Sequence, residues 1–522
     1  MLVADTHQRP GVNGQIPAPL AGVELAHLIS GKLGERRTAP AAAVPTAPPA
    51  VPGGTQSPAA VPRLVDLPVE VLPVGWEVIE ALQADVSTEL SKRDPERTMA
   101  EPDRRALARS LTNTAVADWA TKYAQGNTPL TRDEEGRIAT AVYDAMFRGG
   151  RLQSLLDGEG VEDVMVDGLT AHVEYYDRPR NTIDKVADSH DELITWVNRM
   201  ARQSGQGERA LTQATPMVGF RMPDGSRVTA SLLTSRPSVV IRKHRIRQHG
   251  MAELVKWQSI NPLLEAFLVA CVQARMNILV VGDMGAGKTS LLRALGREIP
   301  PAERLVTLES DRELYLDEPG PKPGPVTFAF EARQSNGERS AGDRLAGEVS
   351  IADMFATALR YNASRVVVGE VRSTEIVPML QAMSAGGSGS MCTMHVRRPH
   401  AIVSRLVQLC AEAGMATEAA HHLIASAIDV VVYLTYLDET GIGGRKHRFV
   451  SHVYEIHDVV GEAGRPTTTE LFAPAGTDPR GVFQNMPSFI NGLELTGSFY
   501  RQWLTDNPHG AWGPPLQTVG RR

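Results

Sequence analysis

Residues 282–289 read GDMGAGKT, and the spacing of the glycines, the lysine and the threonine suits the binding of a nucleotide phosphate. Small residues let backbone N–H groups wrap around a phosphate, and the first turn of a following helix adds partial positive charge. Lys288 is predicted to reach the β- and γ-phosphates and to be exposed while the loop is empty, and the Thr289 hydroxyl is predicted to hold Mg²⁺. The predicted nucleotide-binding residues of this loop are Gly282, Gly285, Ala286, Gly287, Lys288, Thr289 and Ser290.

A phosphate loop alone does not hydrolyse ATP, because the reaction also needs an acid that organises Mg²⁺ and a group that orients water. Three candidates end short apolar runs of strand type, namely Glu309, Glu370 and His395. The carboxyl ends of parallel strands meet at the edge of an α/β sheet where ligands bind. We therefore expect these three side chains to face the phosphate loop as catalytic groups.

Apolar spacing predicts the elements that must position these residues. The run 277–281 is of buried-strand type and directly precedes the loop. Leu291, Leu292 and Leu295 recur at helical spacing behind it. Strand, glycine loop and helix is the order that phosphate binding requires, so a chance match is the weaker interpretation.

The chain of 522 residues is long enough for about three domains. Changes in composition along the chain indicate where these domains begin and end. The first 68 residues are rich in Pro and Ala and offer little that could pack, so we expect them to be disordered. Helical spacing follows, and then alternating strand patterns. The full predicted division is a disordered tail at 1–68, a helical segment at 69–150, an α/β domain at 151–245, a linker at 246–260, a nucleotide domain at 261–475 and a tail at 476–522.

Charge and cysteine content limit the classes to which the protein can belong. The chain has 54 Lys and Arg against 60 Asp and Glu, a formal charge of −6, so no nucleic-acid partner is expected. The three cysteines lie far apart without a C-x-x-C pair, which indicates a reducing compartment and no cysteine zinc module. No signal peptide is evident, and the longest apolar segment, 266–281, is interrupted by Gln273 and Arg275. We therefore predict a cytoplasmic protein that does not insert into a membrane and reaches one through partners.

Four sequence boxes occur in the order that one family of motors shows. They are GDMGAGKTS, LVTLESDRELYL at 305–316, RVVVGEVRSTE at 365–375 and GGSGSMCTMHVRRP at 386–399. On these boxes the chain resembles the secretion traffic ATPases of type II and type IV secretion, over about residues 151–473. DGSRV at 224–228 followed by VVIRK at 239–243 resembles the family's N-terminal domain, and VEDVMVDG followed by GSRV and IRK is similar to the CpaF-type branch, which serves Flp or tight-adherence pili. The lack of a cysteine module argues against the type II secretion branch that carries one.

The resemblance implies an α/β fold with a RecA-like P-loop ATPase core, preceded by a small PAS-like α/β domain and a helical segment. It implies a homo-hexamer that hydrolyses ATP with Mg²⁺ and drives inner-membrane platform proteins in pilus assembly or protein secretion. By the same resemblance, Glu309 polarises the attacking water, Glu370 organises Mg²⁺, and His395 senses the γ-phosphate or relays closure. The arginines implied in charge neutralisation, some of them across a subunit boundary, are Arg227, Arg242, Arg333 and Arg360.

Two positions depart from the family pattern. Gly387 stands in place of the first histidine of the fourth box, and Ser290 replaces the second threonine of the first box. Two other classes of function remain open. A nucleic-acid motor, such as a conjugation ATPase or a RecA-like helicase, is supported by the basic residues at 242–247. A nucleotide-binding scaffold without hydrolysis is disfavoured by the intact loop lysine and strand-tip acids.

Overall fold

The computed structural model describes residues 72–205, 210–243, 249–333, 348–461 and 464–519 of the chain. The predicted tail at 1–68 lies outside these residues, and so do His244, Arg245 and Arg247 of the basic cluster. The described residues begin with packed helices and continue into two sheets, one of six strands and one of nine. No helix among them is long and apolar enough to cross a membrane.

The first helices pack against one another around a small apolar core. They are α1 (Trp76–Arg93), α2 (Glu101–Tyr123) and α3 (Arg132–Phe147). Ile79, Leu82 and Val86 share one face of α1 and are buried in that core, as their spacing predicts. Thr131 caps α3, because its side chain accepts a hydrogen bond from the Glu134 backbone and the Glu134 carboxylate bonds back. The helical segment therefore has a core of its own.

A small α/β domain follows the helices. Its elements are α4 (Gln153–Asp157), β1 (Val161–Asp167), β2 (Thr170–Tyr175), β3 (Asn181–Ile183), α5 (His190–Gln203), β4 (Met217–Arg221), β5 (Arg227–Ser231) and β6 (Ser238–Arg242). The strands form one antiparallel sheet in the order β3-β2-β1-β6-β5-β4. Leu193, Val197 and Met200 of α5 are buried with the inward side chains of the strands. One face of the sheet is therefore covered by apolar packing.

The other face of this sheet carries a row of three arginines. Arg221 pairs with Arg227 on the next strand, and Arg227 pairs with Arg242 on the strand after that. Asp163 on β1 continues the row beside Arg242. Directly paired residues of antiparallel strands point to the same face, and the neighbouring Ile241 is fully buried on the opposite one. Consecutive strands thus align the charges that the domain presents outward.

The nucleotide domain is built on the larger sheet. Its elements are α6 (Met251–Lys256), α7 (Pro262–Gln273), β7 (Ile278–Gly282), α8 (Lys288–Gly296), β8 (Arg304–Glu309), β9 (Val326–Glu331), α9 (Ile351–Ala358), β10 (Arg365–Val371), α10 (Ile376–Ser384), β11 (Met391–His395), α11 (Ile402–Glu412), α12 (Thr417–Ala427), β12 (Val430–Asp438), β13 (Lys446–Val460), β14 (Pro466–Ala475), β15 (Asp478–Phe483), α13 (Ile490–Glu494) and α14 (Gln502–Asp506). The strand order is β15-β14-β13-β12-β7-β11-β10-β8-β9, and the strands from β12 to β9 run parallel.

Strand β7 is buried on both faces of the sheet. Ile278 and Val280 enter one apolar core, and Leu279 and Val281 enter the other. This burial explains why the run before the loop is continuously apolar rather than alternating. The loop after β7 therefore opens at the carboxyl end of the central strand of the nine-stranded sheet, in a RecA-like arrangement.

The segments expected to be a linker and a C-terminal tail take part in the packing of the nucleotide domain. Helix α6 lies within the expected linker at 246–260, and its Met251 and Leu254 are buried in the core. Beyond residue 476, β15 pairs with β14, and Phe499 and Leu504 are fully buried. The apolar residues of this end are few and irregularly spaced among Gly, Pro and Asn, so they give no periodic signal. Residues 476–519 therefore belong to the folded domain rather than to a tail.

Candidate nucleotide site

The glycine-rich loop connects β7 to α8, as its spacing predicts. Gly287 caps the helix in a left-handed conformation with a φ of 89°, which residues with a side chain rarely adopt. At Gly282 a Cβ would lie 2.4 Å from the carbonyl oxygen of Leu434, so the loop approaches β12 too closely for any other residue. The N-terminus of α8 thus reaches the sheet edge, where a phosphate can bind. All the predicted loop residues lie in this loop or in the first turn of α8, namely Gly282, Gly285, Ala286, Gly287, Lys288, Thr289 and Ser290.

Lys288 is buried, with only 6% of its surface accessible, so the expectation of an exposed lysine is wrong. Its ammonium group donates to the carbonyl oxygen of Asp283 at 2.9 Å and to Nδ1 of His395 at 3.0 Å. Burial lowers the pKa of Lys288 to about 8, although Glu370 and Asp283 oppose the shift. The side chain therefore folds back onto two partners that a phosphate would replace.

His395 joins Lys288 to Glu370. Its Nε2 lies 2.9 Å from Oε1 of Glu370. Because a lysine only donates, Nδ1 of His395 must accept from Lys288, which leaves the proton of the neutral ring on Nε2, facing the carboxylate. Arg372 donates to Oε2 of Glu370 at 2.6 Å. Burial acts to raise the pKa of Glu370, but His395 and Arg372 lower it to about 2, so the carboxylate is ionised at neutral pH.

Glu309 lies at the tip of β8 and is almost completely buried, with 2% of its surface accessible. Its Oε1 accepts hydrogen bonds from the backbone N–H groups of Glu313 and Leu314, both at 2.9 Å. Burial raises the pKa of Glu309 to about 7, and those two donors oppose the shift. A carboxyl group with this pKa exchanges its proton near neutral pH, which a general base requires.

Two of the predicted arginines come from the small α/β domain. Arg227 pairs with Asp311, two residues beyond Glu309, at 2.7 Å. Arg242 pairs instead with Asp163 of its own domain at 3.1 Å. The structure therefore brings Arg227 to the acids at the tip of β8, whereas Arg242 lies beside it on the sheet and is held by another partner.

Arg333 and Arg360 lie near the edge of the larger sheet. Arg333 follows β9 and forms a backbone bridge with Val349, and Arg360 is exposed in the short turn Leu359–Tyr361. Tyr361 in that turn packs on the ring of Phe328 in β9. Strand β9 is four strands from β7, roughly 19 Å at the usual spacing of about 4.8 Å. These arginines therefore lie toward the sheet edge, away from the loop of the same chain.

Three groups at the site were not among the predicted residues. Arg372 belongs to the third sequence box and could have been found there. His249 approaches the first turn of α8, with its Nε2 2.8 Å from the carbonyl oxygen of Ser290. Arg448 donates from Nε to the carbonyl oxygen of Gly285 at 2.6 Å. His249 and Arg448 give no sequence signal, because only the tertiary fold brings them to the loop.

Two oxygen ligands fit Mg²⁺ at this site. Thr289 offers a hydroxyl in the first turn of α8, and Glu370 offers an ionised carboxylate on a neighbouring strand tip. Within the described ranges no group of three or more His, Cys, Asp or Glu is arranged to hold a metal ion. That set suits Mg²⁺, which usually takes one or two protein ligands together with water and substrate phosphates.

The loop after the central strand of a RecA-like sheet, with acids and a histidine at the neighbouring strand tips, defines a P-loop nucleotide-binding protein. The model of the family described as type II/IV secretion system protein matches residues 170–452. Because this match covers more than half of the 522 residues, the chain belongs to that family.

Several known proteins are similar to this chain. A putative conjugal transfer protein of Mycobacterium tuberculosis is 30% identical over 296 residues, which are 55% of this chain and 79% of that protein. The type IV secretion system protein PtlH of Bordetella pertussis is 31% identical over 253 residues, 43% of this chain and 71% of that protein. Among solved structures, the ATPase DotB of Legionella pneumophila is 19% identical, with a TM-score of 0.41 over 60% of this chain and 81% of that one.

Proposed function

We propose that this protein is a Mg²⁺-dependent ATPase that acts as a homo-hexameric motor in pilus assembly or in protein secretion across the cell envelope. The observation that carries the proposal is the chain of contacts from Lys288 through His395 to Glu370, with Glu309 on the strand next to that of Glu370. A protein that only bound nucleotide would need the loop lysine but not this set of strand-tip groups.

Each of these side chains has a separate role in ATP hydrolysis. Lys288 leaves Asp283 and His395 to bind the β- and γ-phosphates. Thr289 and Glu370 would hold Mg²⁺, which would neutralise charge on the phosphates. Glu309 orients a water and accepts its proton as the water oxygen attacks the γ-phosphorus. The bond from that phosphorus to the bridging oxygen breaks, and ADP and phosphate leave.

Nucleotide occupancy biases the position of the small α/β domain. Arg227 joins this domain to the acids at the tip of β8, beside the phosphate site. A ligand moves such an equilibrium by binding one arrangement more tightly than the other. Arg242 on the same sheet face neutralises phosphate charge in the closed arrangement, and Arg333 and Arg360 act across a subunit boundary. Their position toward the sheet edge supports that assignment.

The motor acts on inner-membrane platform proteins from the cytoplasmic side, and we place it in the CpaF-type branch. The segments VEDVMVDG, DGSRV and VVIRK support that placement. They form β1, the turn into β5, and β6, so all three lie in the domain that would move against the core.

A conjugation or nucleic-acid motor is the second candidate. The similarity to the putative conjugal transfer protein of M. tuberculosis favours it. The formal charge of −6 favours the secretion motor, because nucleic-acid motors usually carry a basic surface.

Turnover measured against protein concentration, beside mass photometry and with or without single-stranded DNA, tests the proposal. We expect ATP turnover that rises as a hexamer forms and does not change with DNA. Full activity in the monomer would exclude shared sites. Activity that requires DNA and falls steeply with salt would favour the second candidate.

A further inference from the structure

Arg448 on β13 contacts the phosphate loop and the small α/β domain with one side chain. Its Nε donates to the carbonyl oxygen of Gly285 at 2.6 Å, and its Nη2 donates to Oε2 of Glu162 on β1 at 3.1 Å. The guanidinium also lies over two aromatic rings, 5.2 Å from the centre of Tyr436 and 5.5 Å from that of Tyr176. Tyr436 is the residue paired with Arg448 on the adjacent strand β12, whereas Gly285, Glu162 and Tyr176 lie far from Arg448 in the chain.

The contact to Gly285 bears on phosphate binding. A P-loop holds a phosphate through its N–H groups, and a carbonyl oxygen turned toward the phosphate would repel it. Arg448 binds this carbonyl at the β12 side of the loop, whereas Glu370 and His395 lie on the opposite side of β7. The guanidinium thus contacts the loop on the side opposite the strand-tip groups.

The contact to Glu162 connects the phosphate loop, through Arg448, to the small α/β domain. Glu162 also accepts a hydrogen bond from Lys446 at 3.1 Å, and burial of this carboxylate is offset by the two cations, which lower its pKa. Arg448 is mostly buried here, with 19% of its side chain accessible, so its charge-assisted bonds are shielded from solvent. Moving the small domain away from the core would separate Glu162 from Arg448.

We propose that Arg448 is a positioning residue that preorganises the phosphate loop for nucleotide and links that order to the position of the small α/β domain through Glu162. The inference rests on the proposed ATPase function. It makes Glu162, which contacts no described loop residue, a determinant of nucleotide affinity. It also means that withdrawal of the small domain loosens the loop and favours release of ADP.

The test uses the full chain and a fluorescent ADP analogue, with KM and kcat for ATP measured in parallel. The variants are Arg448→Met, Glu162→Ala and the double variant, and Arg445→Met is the matched control because it removes a cation from an exposed position on the same hairpin. We expect Arg448→Met to raise the Kd of the ADP analogue about tenfold, as loss of one preorganising contact does. Glu162→Ala raises it severalfold, and the double variant is no weaker than Arg448→Met alone.

The split between KM and kcat separates positioning from catalysis. Arg448 touches no reacting atom, so KM for ATP rises with Kd while kcat stays within about twofold. Arg448→Lys, which keeps the charge but lacks the planar fork that reaches both partners at once, restores part of the affinity. Wild-type affinity in Glu162→Ala, or additive effects in the double variant, would overturn the link to the small domain.

The controls distinguish failure of the proposed ATPase function from failure of the inference about Arg448 alone. Wild-type protein that binds no ADP analogue overturns the ATPase assignment together with this inference. Wild-type protein that binds and hydrolyses normally, with Arg448→Met matching Arg445→Met, overturns this inference alone. Because Glu162→Ala leaves the loop contact of Arg448 intact, it decides the question even if Arg448→Met fails to fold.

Discussion

Gly369 and Glu309 lie side by side on neighbouring strands, and the glycine makes room for the buried carboxyl group. A Cβ on Gly369 would lie 3.1 Å from Cγ and 3.3 Å from Oε1 of Glu309. Carbon atoms normally pack at about 3.5–4.0 Å, so a side chain there would displace Glu309. The glycine in the third sequence box is therefore a packing requirement of the acid in the second.

Gly369→Ala is predicted to impair hydrolysis more than nucleotide binding. The added methyl group pushes Glu309 from its position near the attacking water, so kcat falls at least about tenfold, in keeping with the loss of a general base. The Kd for a fluorescent ADP analogue stays within about twofold. Gly324→Ala is the control, since a Cβ there meets nothing within 4 Å. Equal kcat values in the two variants would show that the space beside Glu309 is not needed.

The affinity for ADP is predicted to fall as the pH rises above about 8, the pKa to which burial lowers Lys288. Phosphate binds the ammonium form, so affinity is full below that pH and is lost as the free protein releases the Lys288 proton. Calorimetric titrations should give a Kd that rises roughly tenfold per pH unit above about 8. Lys288→Ala should bind weakly with no such slope, and a flat wild-type profile would contradict the prediction.

The acid limb of the pH–rate profile is predicted to report Glu309. Burial raises the pKa of Glu309 to about 7, and only its ionised form can accept a proton from water. The value of kcat/KM should therefore rise with pH through about 7, and it should fall again as Lys288 loses its proton near 8. Glu309→Gln should remove the acid limb together with most of the activity. A wild-type profile that rises instead near pH 4 would remove Glu309 as the base.

Glu370→Gln is predicted to bind ATP with little change and to hydrolyse it poorly. The amide keeps the shape of the side chain but loses the charge that holds Mg²⁺, so turnover falls more than about a hundredfold. Single-turnover assays beside binding of an ATP analogue separate the two steps. Glu412→Gln, at an exposed position on α11, provides the matched charge removal. Wild-type turnover in Glu370→Gln would exclude Glu370 from the mechanism.

Gly387→His is predicted to destabilise the protein without a gain in activity. A Cβ at Gly387 would lie 2.5 Å from the carbonyl oxygen of Ala382, so the backbone must shift, at a cost of about 1–3 kcal/mol. Residue 387 also precedes β11, at the end of the strand opposite His395. Urea unfolding and turnover measure the two effects. A stable variant with faster turnover would restore a role for the first histidine of the box.

Site residues that belong to a local sequence pattern could be predicted from the sequence. Groups that reach the site only through the tertiary fold could not. The phosphate loop and the strand tips at Glu309, Glu370 and His395 have local patterns, because each chemical group ends its own apolar run. Arg448 reaches the loop from a strand far along the chain and has no such pattern. The burial of Lys288 was missed because it depends on the carbonyl of Asp283 and on His395, which close over it only in the folded state.

The aligned arginines of the small sheet determine how the small α/β domain separates from the nucleotide domain. Arg221 meets Glu331, Arg227 meets Asp311, and Glu162 meets Lys446. Charged groups that part are rehydrated by water, whereas apolar surfaces that part stay exposed and prone to aggregation. An interface held by such ion pairs can therefore open and close repeatedly without exposing apolar surface that would aggregate. Dissolved salt weakens these pairs only in part, because they are partly buried and shorter than the screening length of about 8 Å at physiological ionic strength.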